Sequence, residues 1–185
     1  MKKGLILVIV IIAVIVIALI SSYNGLVSKA EEVDNKFSII DTQLQRRADL
    51  IPNLVNTVKG FANHEEEIIN SVTEARAKLT GANTISEKAE ADQELTGALN
   101  RLMVVVENYP DLKSSENFIQ LSDELAGTEN RIATARKDYN DAVKLYNVKV
   151  KKFPTSIMAG MFGFETKQYF EASEKAQEAP NVNFE

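Results

Sequence analysis

The chain has 185 residues, 21 of them basic and 26 acidic, with a formal net charge of −5 and no cysteine. That balance argues against a nucleic-acid surface, where phosphates require clustered Lys and Arg. It also argues against a domain lying flat on anionic lipid. Without cysteine there is no disulfide, thiolate metal site, cysteine nucleophile or lipoprotein anchor.

Residues 5 to 20, LILVIVIIAVIVIALI, carry no polar side chain. With Ser21, Ser22 and Tyr23 they make a helix of roughly 28 Å at about 1.5 Å per residue, close to the ~30 Å hydrocarbon core. The β-branched residues do not argue for a strand, because a lone strand in lipid leaves its backbone groups unsatisfied. We therefore expect a short flank at 1–4 and a transmembrane signal-anchor at 5–23, with the lipid bilayer as its partner. Cleavage is disfavoured by a run longer than a usual h-region. In addition, the pairs Ile20/Ser22 and Leu19/Ser21 place a bulky residue where a small one is wanted. Lys2 and Lys3 point to a cytoplasmic N-terminus and an extracytoplasmic domain.

Past the anchor the apolar pattern becomes heptad. Steps of four and three from Leu26 meet Ala30, Val33, Phe37, Ile40, Leu44, Arg47, Ile51, Leu54, Val58 and Phe61, all apolar except Arg47. Such a narrow seam belongs to a helix packing lengthwise on partners. It runs through Pro52, so either one long helix bends there or Asp49 caps a second helix; the unbroken phase favours the bend. A shorter helix is predicted over 65–79, with Ile68, Val72, Ala75 and Leu79 inward. After a loop at 80–84, Ser86 is the expected N-cap of a helix reaching Tyr109, and Pro110 stops it.

A second long seam passes through Phe118, Leu121, Leu125, Thr128, Ile132, Ala135, Tyr139, Ala142, Tyr146 and Lys149, and Phe153-Pro154 ends it. The expected fold is all-α: an N-terminal transmembrane helix, then an antiparallel bundle of about four helices, two long and two shorter, over 24–152. Residues 153–178 form an apolar, glycine-containing segment with a short helix, and 179–185 are a tail.

Little chemistry is on offer. His64 is the only histidine, and position 68 is Ile, so a His-x-x-x-His zinc motif fails. A di-iron carboxylate bundle needs two Glu-x-x-His motifs, which one histidine cannot supply. No cofactor and no enzymatic activity is expected. Arg47 is the anomaly of the first seam. It either snorkels out of a shallow groove or sets register through an ion pair with Glu129, which flanks the polar seam position Thr128. Ile157, Met158, Met161, Phe162 and Phe164 are too apolar for an ordinary loop. They cap the bundle or form a patch that meets another subunit or the bilayer.

The run QLQRRADLIPNLVNTVKGFANHE at 43–65 resembles the signature of the LemA family of bacterial single-pass membrane proteins. ENYPDLKSSENFIQL at 107–121, ELAGTENRIATARKDYNDAVKLYN at 124–147, KKFPTSIMAGMFGFETKQYFE at 151–171 and the PNVNF ending match in order. The family usually has Tyr where Ala48 stands and often Ala-Trp where Lys36-Phe37 stand. The resemblance implies an anchored helical protein of the bacterial inner membrane and supplies no accepted reaction. Its motif positions here are Arg46, Arg47, Asp49, Pro52, Asn53, Lys59, Glu65, Asp111, Glu129, Asn130, Arg131, Asn140 and Asn147. They look like a polar lattice on helices. The leading expectation is a self-associating structural or scaffold component of the envelope, a homo-oligomer. The alternative is an envelope adaptor or sensor that binds a peptide, protease or signalling partner.

Overall fold

The computed structural model describes residues 2–62 and 65–171; His64 and the tail at 179–185 lie outside them. These residues form six helices and no strand: α1 (Lys2–Lys59), α2 (Glu66–Gly81), α3 (Ile85–Val106), α4 (Pro110–Lys113), α5 (Glu116–Lys151) and α6 (Thr155–Phe162). They divide into two compact units whose boundary falls inside α1 and inside α5.

The first unit holds the chain up to Ser38 together with Lys137–Tyr169. Its α1 portion begins with the apolar run, where one 18-residue window has a mean hydropathy of 3.5 and no buried residue. This stretch is long and apolar enough to cross a membrane, and its side chains face outward all round as lipid contact requires. After it, α1 runs antiparallel to α5: Gly25 faces Lys149, while Lys36 pairs with Asp138 at 3.2 Å. The missing side chain at Gly25 leaves room for the Lys149 ammonium against the α1 backbone. Leu26 and Val33 are buried here with Tyr139, Ala142, Val143 and Tyr146. Gly163, at φ 72°, closes α6 in the left-handed conformation that favours glycine.

The second unit holds Ile39–Arg136 and Phe170. Its long elements alternate in direction. Lys78 pairs with Glu94 and Arg101 donates to Ser71, so α2 and α3 are antiparallel. Asp41 meets Lys88 and Arg47 meets Asp92, so α3 runs parallel to α1. The brief connection through α4 turns the chain back into α5. Ile40, Leu44, Ile51, Leu54 and Val58 fill the core with Val72, Leu95, Leu102, Leu112 and Ile132.

Three local readings need correction. Ile69 rather than Ile68 is buried on α2. Thr84, not Ser86, caps α3. Its hydroxyl accepts from the Glu87 N–H while Glu87 accepts from the Thr84 N–H, a reciprocal box that satisfies two donors where Ser86 would satisfy one. Pro110 does more than stop α3, which ends at Val106; as first residue of α4 it starts a new turn, a position where a missing N–H costs nothing.

Helix α1 continues past Pro52. Proline has no N–H to give the Ala48 carbonyl one turn back. Arg76 of α2 supplies the donor instead: its Nε lies 2.7 Å from the Ala48 oxygen. Arg76→Ala should therefore destabilise the fold by about 1–3 kcal/mol, the range for leaving a buried acceptor unsatisfied. In a Pro52→Ala background, where α1 regains its own donor, most of that loss should vanish. Equal losses in both backgrounds in urea melts would sink the pairing.

Candidate functional site

The sequence points to Arg47, and the structure puts it at the centre of a buried charge cluster in the second unit. Seam periodicity turns the residue inward, and its side chain is 4% exposed, which discards the snorkelling reading. Nη1 donates to Asp92 Oδ1 at 2.5 Å and Nη2 to the Thr96 hydroxyl at 2.9 Å, both on α3. Glu129 Oε2 of α5 lies 2.7 Å from the same Nη1, a charge contact without hydrogen-bond alignment. Glu129 remains 39% exposed, whereas Asp92 is 2% exposed. The closer and drier partner is thus Asp92.

Asp92 has a second cation. Arg136 Nη1 of α5 stands 3.7 Å from Oδ2, and its guanidinium lies over the Phe170 ring at 5.0 Å. A guanidinium between a carboxylate and an aromatic face is held by both. Three helices are joined at one level, with two arginines against two carboxylates.

The remaining candidates are dispersed. Arg46 pairs with Glu124 at 2.7 Å on the surface, a contact worth ~1 kcal/mol or less. Asp49 is exposed and accepts from Gln45; Pro52, Asn130 and Arg131 are exposed too. Thr128, fully buried, donates to the Glu124 carbonyl of its own helix and needs no partner elsewhere. Met158 is buried, Phe164 partly so, and Ile157, Met161 and Phe162 face out.

Sequence reasoning passed over Asp92, Arg76, Arg136 and Phe170. Asp92 was within reach: it stands three and seven residues before Leu95 and Leu99, so it falls on the buried stripe of α3. Phe170 had no such signal, since it follows an irregular segment.

In the first unit, Asn147 performs a comparable task on backbone. Its amide donates to the Lys167 carbonyl at 2.9 Å and accepts from the Lys167 N–H at 2.8 Å, pairing an extended segment that has no strand beside it. Tyr139 donates to the next carbonyl, that of Gln168, at 2.8 Å. Burial, with Asp34 adding to it, pushes the Tyr139 phenol up to about 12. A raised native pKa means that the folded chain holds this proton after the unfolded chain has released it. Stability from Tyr139 is therefore complete below about pH 10 and is lost as pH rises through about 12. Tyr139→Phe should flatten the fall in melting temperature over that interval, and an unchanged slope would reject the assignment.

A helix long and apolar enough to cross a membrane, followed by packed helices, defines a membrane-associated helical protein. The chain belongs to the LemA family, which it matches over residues 36–184. It is 30% identical over 179 residues to the magnetosome proteins MamQ 2 and MamQ 1 of Paramagnetospirillum magneticum, covering 83% of this chain. It spans just under two thirds, 66%, of the length of each of those relatives. Protein LemA of Metamycoplasma hominis is 29% identical over 156 residues, 82% of this chain and 69% of that protein.

Proposed function

We propose that this is a non-enzymatic scaffold of the bacterial cell envelope. It is anchored by residues 5–23, self-associates, and has its N-terminus in the cytoplasm and its helices after Tyr23 outside. The observation that carries the reading is the closed charge cluster. Arg47, Asp92 and Arg136 are held against one another and against packed side chains, with Glu129 beside Arg47. Among the described residues no group of three or more His, Asp or Glu is gathered to hold a metal ion. Large apolar side chains outside the span, such as Val104 on α3 and Leu145 on α5, stand more than half exposed. A further copy packed against either helix would take such side chains out of water. The MamQ relatives, named as magnetosome proteins, accord with work in a cellular structure.

Native mass spectrometry of the full chain in detergent at micromolar concentration should return an oligomer of defined size. A monomer would overturn self-association, and a monomer that crosslinks to one stoichiometric partner would favour the adaptor. Asn83 is exposed in the turn before α3, and the chain has no native cysteine. Asn83→Cys should react with an impermeant maleimide in intact cells. Labelling only after lysis would reverse the orientation.

A further inference from the structure

Within the first unit, the residues from the end of α5 through α6 present an apolar surface that the unit's own packing leaves outside. Phe153 is 75% and Met161 72% exposed, and Ile157 and Phe162 are each more than half exposed. Ile157 and Met161 are four residues apart and share one face of α6. Met158 and Ala159 face the opposite way and are buried. The inward pair seats the helix, and of the outward residues Phe162 packs one side on the Tyr23 ring while the rest of the face stays in contact with solvent.

Their position selects the partner. Tyr23, which closes the span, has its ring centroid 4.9 Å from that of Phe162 and 5.8 Å from that of Phe164. Ser22 Oγ donates to the Thr155 hydroxyl at 3.3 Å. Helix α6 is thus fastened beside the end of the apolar run of α1, where a spanning helix leaves the hydrocarbon. Lys151 and Lys152, both exposed, stand at the end of α5, separated from α6 by Phe153 and Pro154. An apolar and aromatic face edged by lysines suits the headgroup boundary: the rings and thioether reach the acyl region and the ammonium groups meet lipid phosphates.

We infer that residues 153–162 dock into the interface of the bilayer that α1 crosses, a second membrane contact made by Phe153, Ile157, Met161 and Phe162 with Lys151 and Lys152 on the headgroups. The inference rests on anchoring by α1, and the test separates the two. The chain has no tryptophan, so a single introduced indole reports alone. Full-length Met161→Trp and Ile12→Trp are reconstituted in phosphatidylcholine–phosphatidylglycerol vesicles with or without brominated acyl chains. Position 12 should be strongly quenched by bromine, and position 161 nearly as much and blue-shifted. Quenching at 12 without quenching at 161 would overturn the docking and leave the anchor standing. A blue-shifted but unquenched probe at 161 would place a second copy on this face and equally overturn it. No quenching at 12 would remove the anchor and the docking together.

Discussion

Replacing Asp92 by alanine should lower the melting temperature of the full chain by on the order of 10 °C, because a buried arginine left without its carboxylate costs about 3–5 kcal/mol. Arg47 cannot leave the core, and Glu129, partly exposed and poorly aligned, cannot replace a 2.5 Å hydrogen bond. Arg136 would lose its carboxylate as well. Arg47→Met should also be costly, since it leaves Asp92 in the same dry site with only the more distant Arg136, at 3.7 Å, to face it. Had Glu129 been the sole partner, that change would be mild, because Glu129 reaches solvent. The double variant Arg47→Met with Asp92→Leu removes both charges and should recover much of the loss, as apolar replacement of buried ion pairs often does. Losses from Arg47→Met and Asp92→Leu, each measured singly, that simply add in the double variant would show that the groups are not coupled.

Phe170→Ala is expected to cost about 3–5 kcal/mol, the range for deleting a buried aromatic ring. The ring is 2% exposed and carries the Arg136 guanidinium on its face. Its loss leaves a cavity and loosens the cation that backs Asp92. Phe170→Leu, which refills most of the volume without a π face, should recover the larger part of the stability. The shortfall that remains should shrink when Arg136 is changed to Met, because both variants lack the same cation–π contact. Melting of Phe170→Ala within a degree or two of the parent would mean that the residue is not a core anchor.

Much of this architecture is readable from period alone. The seam from Leu26 to Val58 turns Leu26, Val33, Ile40, Leu44, Ile51, Leu54 and Val58 into the core as a 3.5-residue repeat demands. The exceptions are Ala30 and Phe37, which are only partly buried, and Phe61, which is exposed just past the helix end while Ala62 is buried. The apolar run at 5–20 and the LemA-like motifs needed no coordinates either. The polar partners were another matter. The seam marks Arg47 as buried but carries no information on which carboxylate is nearest. That depends on the level at which α3 crosses α1, which loop closure and core packing decide.

Pro52 shows the same division. Its ring announces a carbonyl without a donor at Ala48, a consequence of covalent chemistry alone; that Arg76 reaches this oxygen from α2 follows only once the helices pack. Asn147 and Phe170 are the clearest cases. The segment at 164–171 has no hydrogen-bonding period of its own, so no local pattern marks its course. Its backbone polar groups and its ring find partners on α5, supplied by residues distant in the chain. Local periodicity determines which face of a helix is dry, because that depends on neighbours three and four residues away. Which charge, carbonyl or ring meets that face is set by tertiary packing, because the partners approach through space.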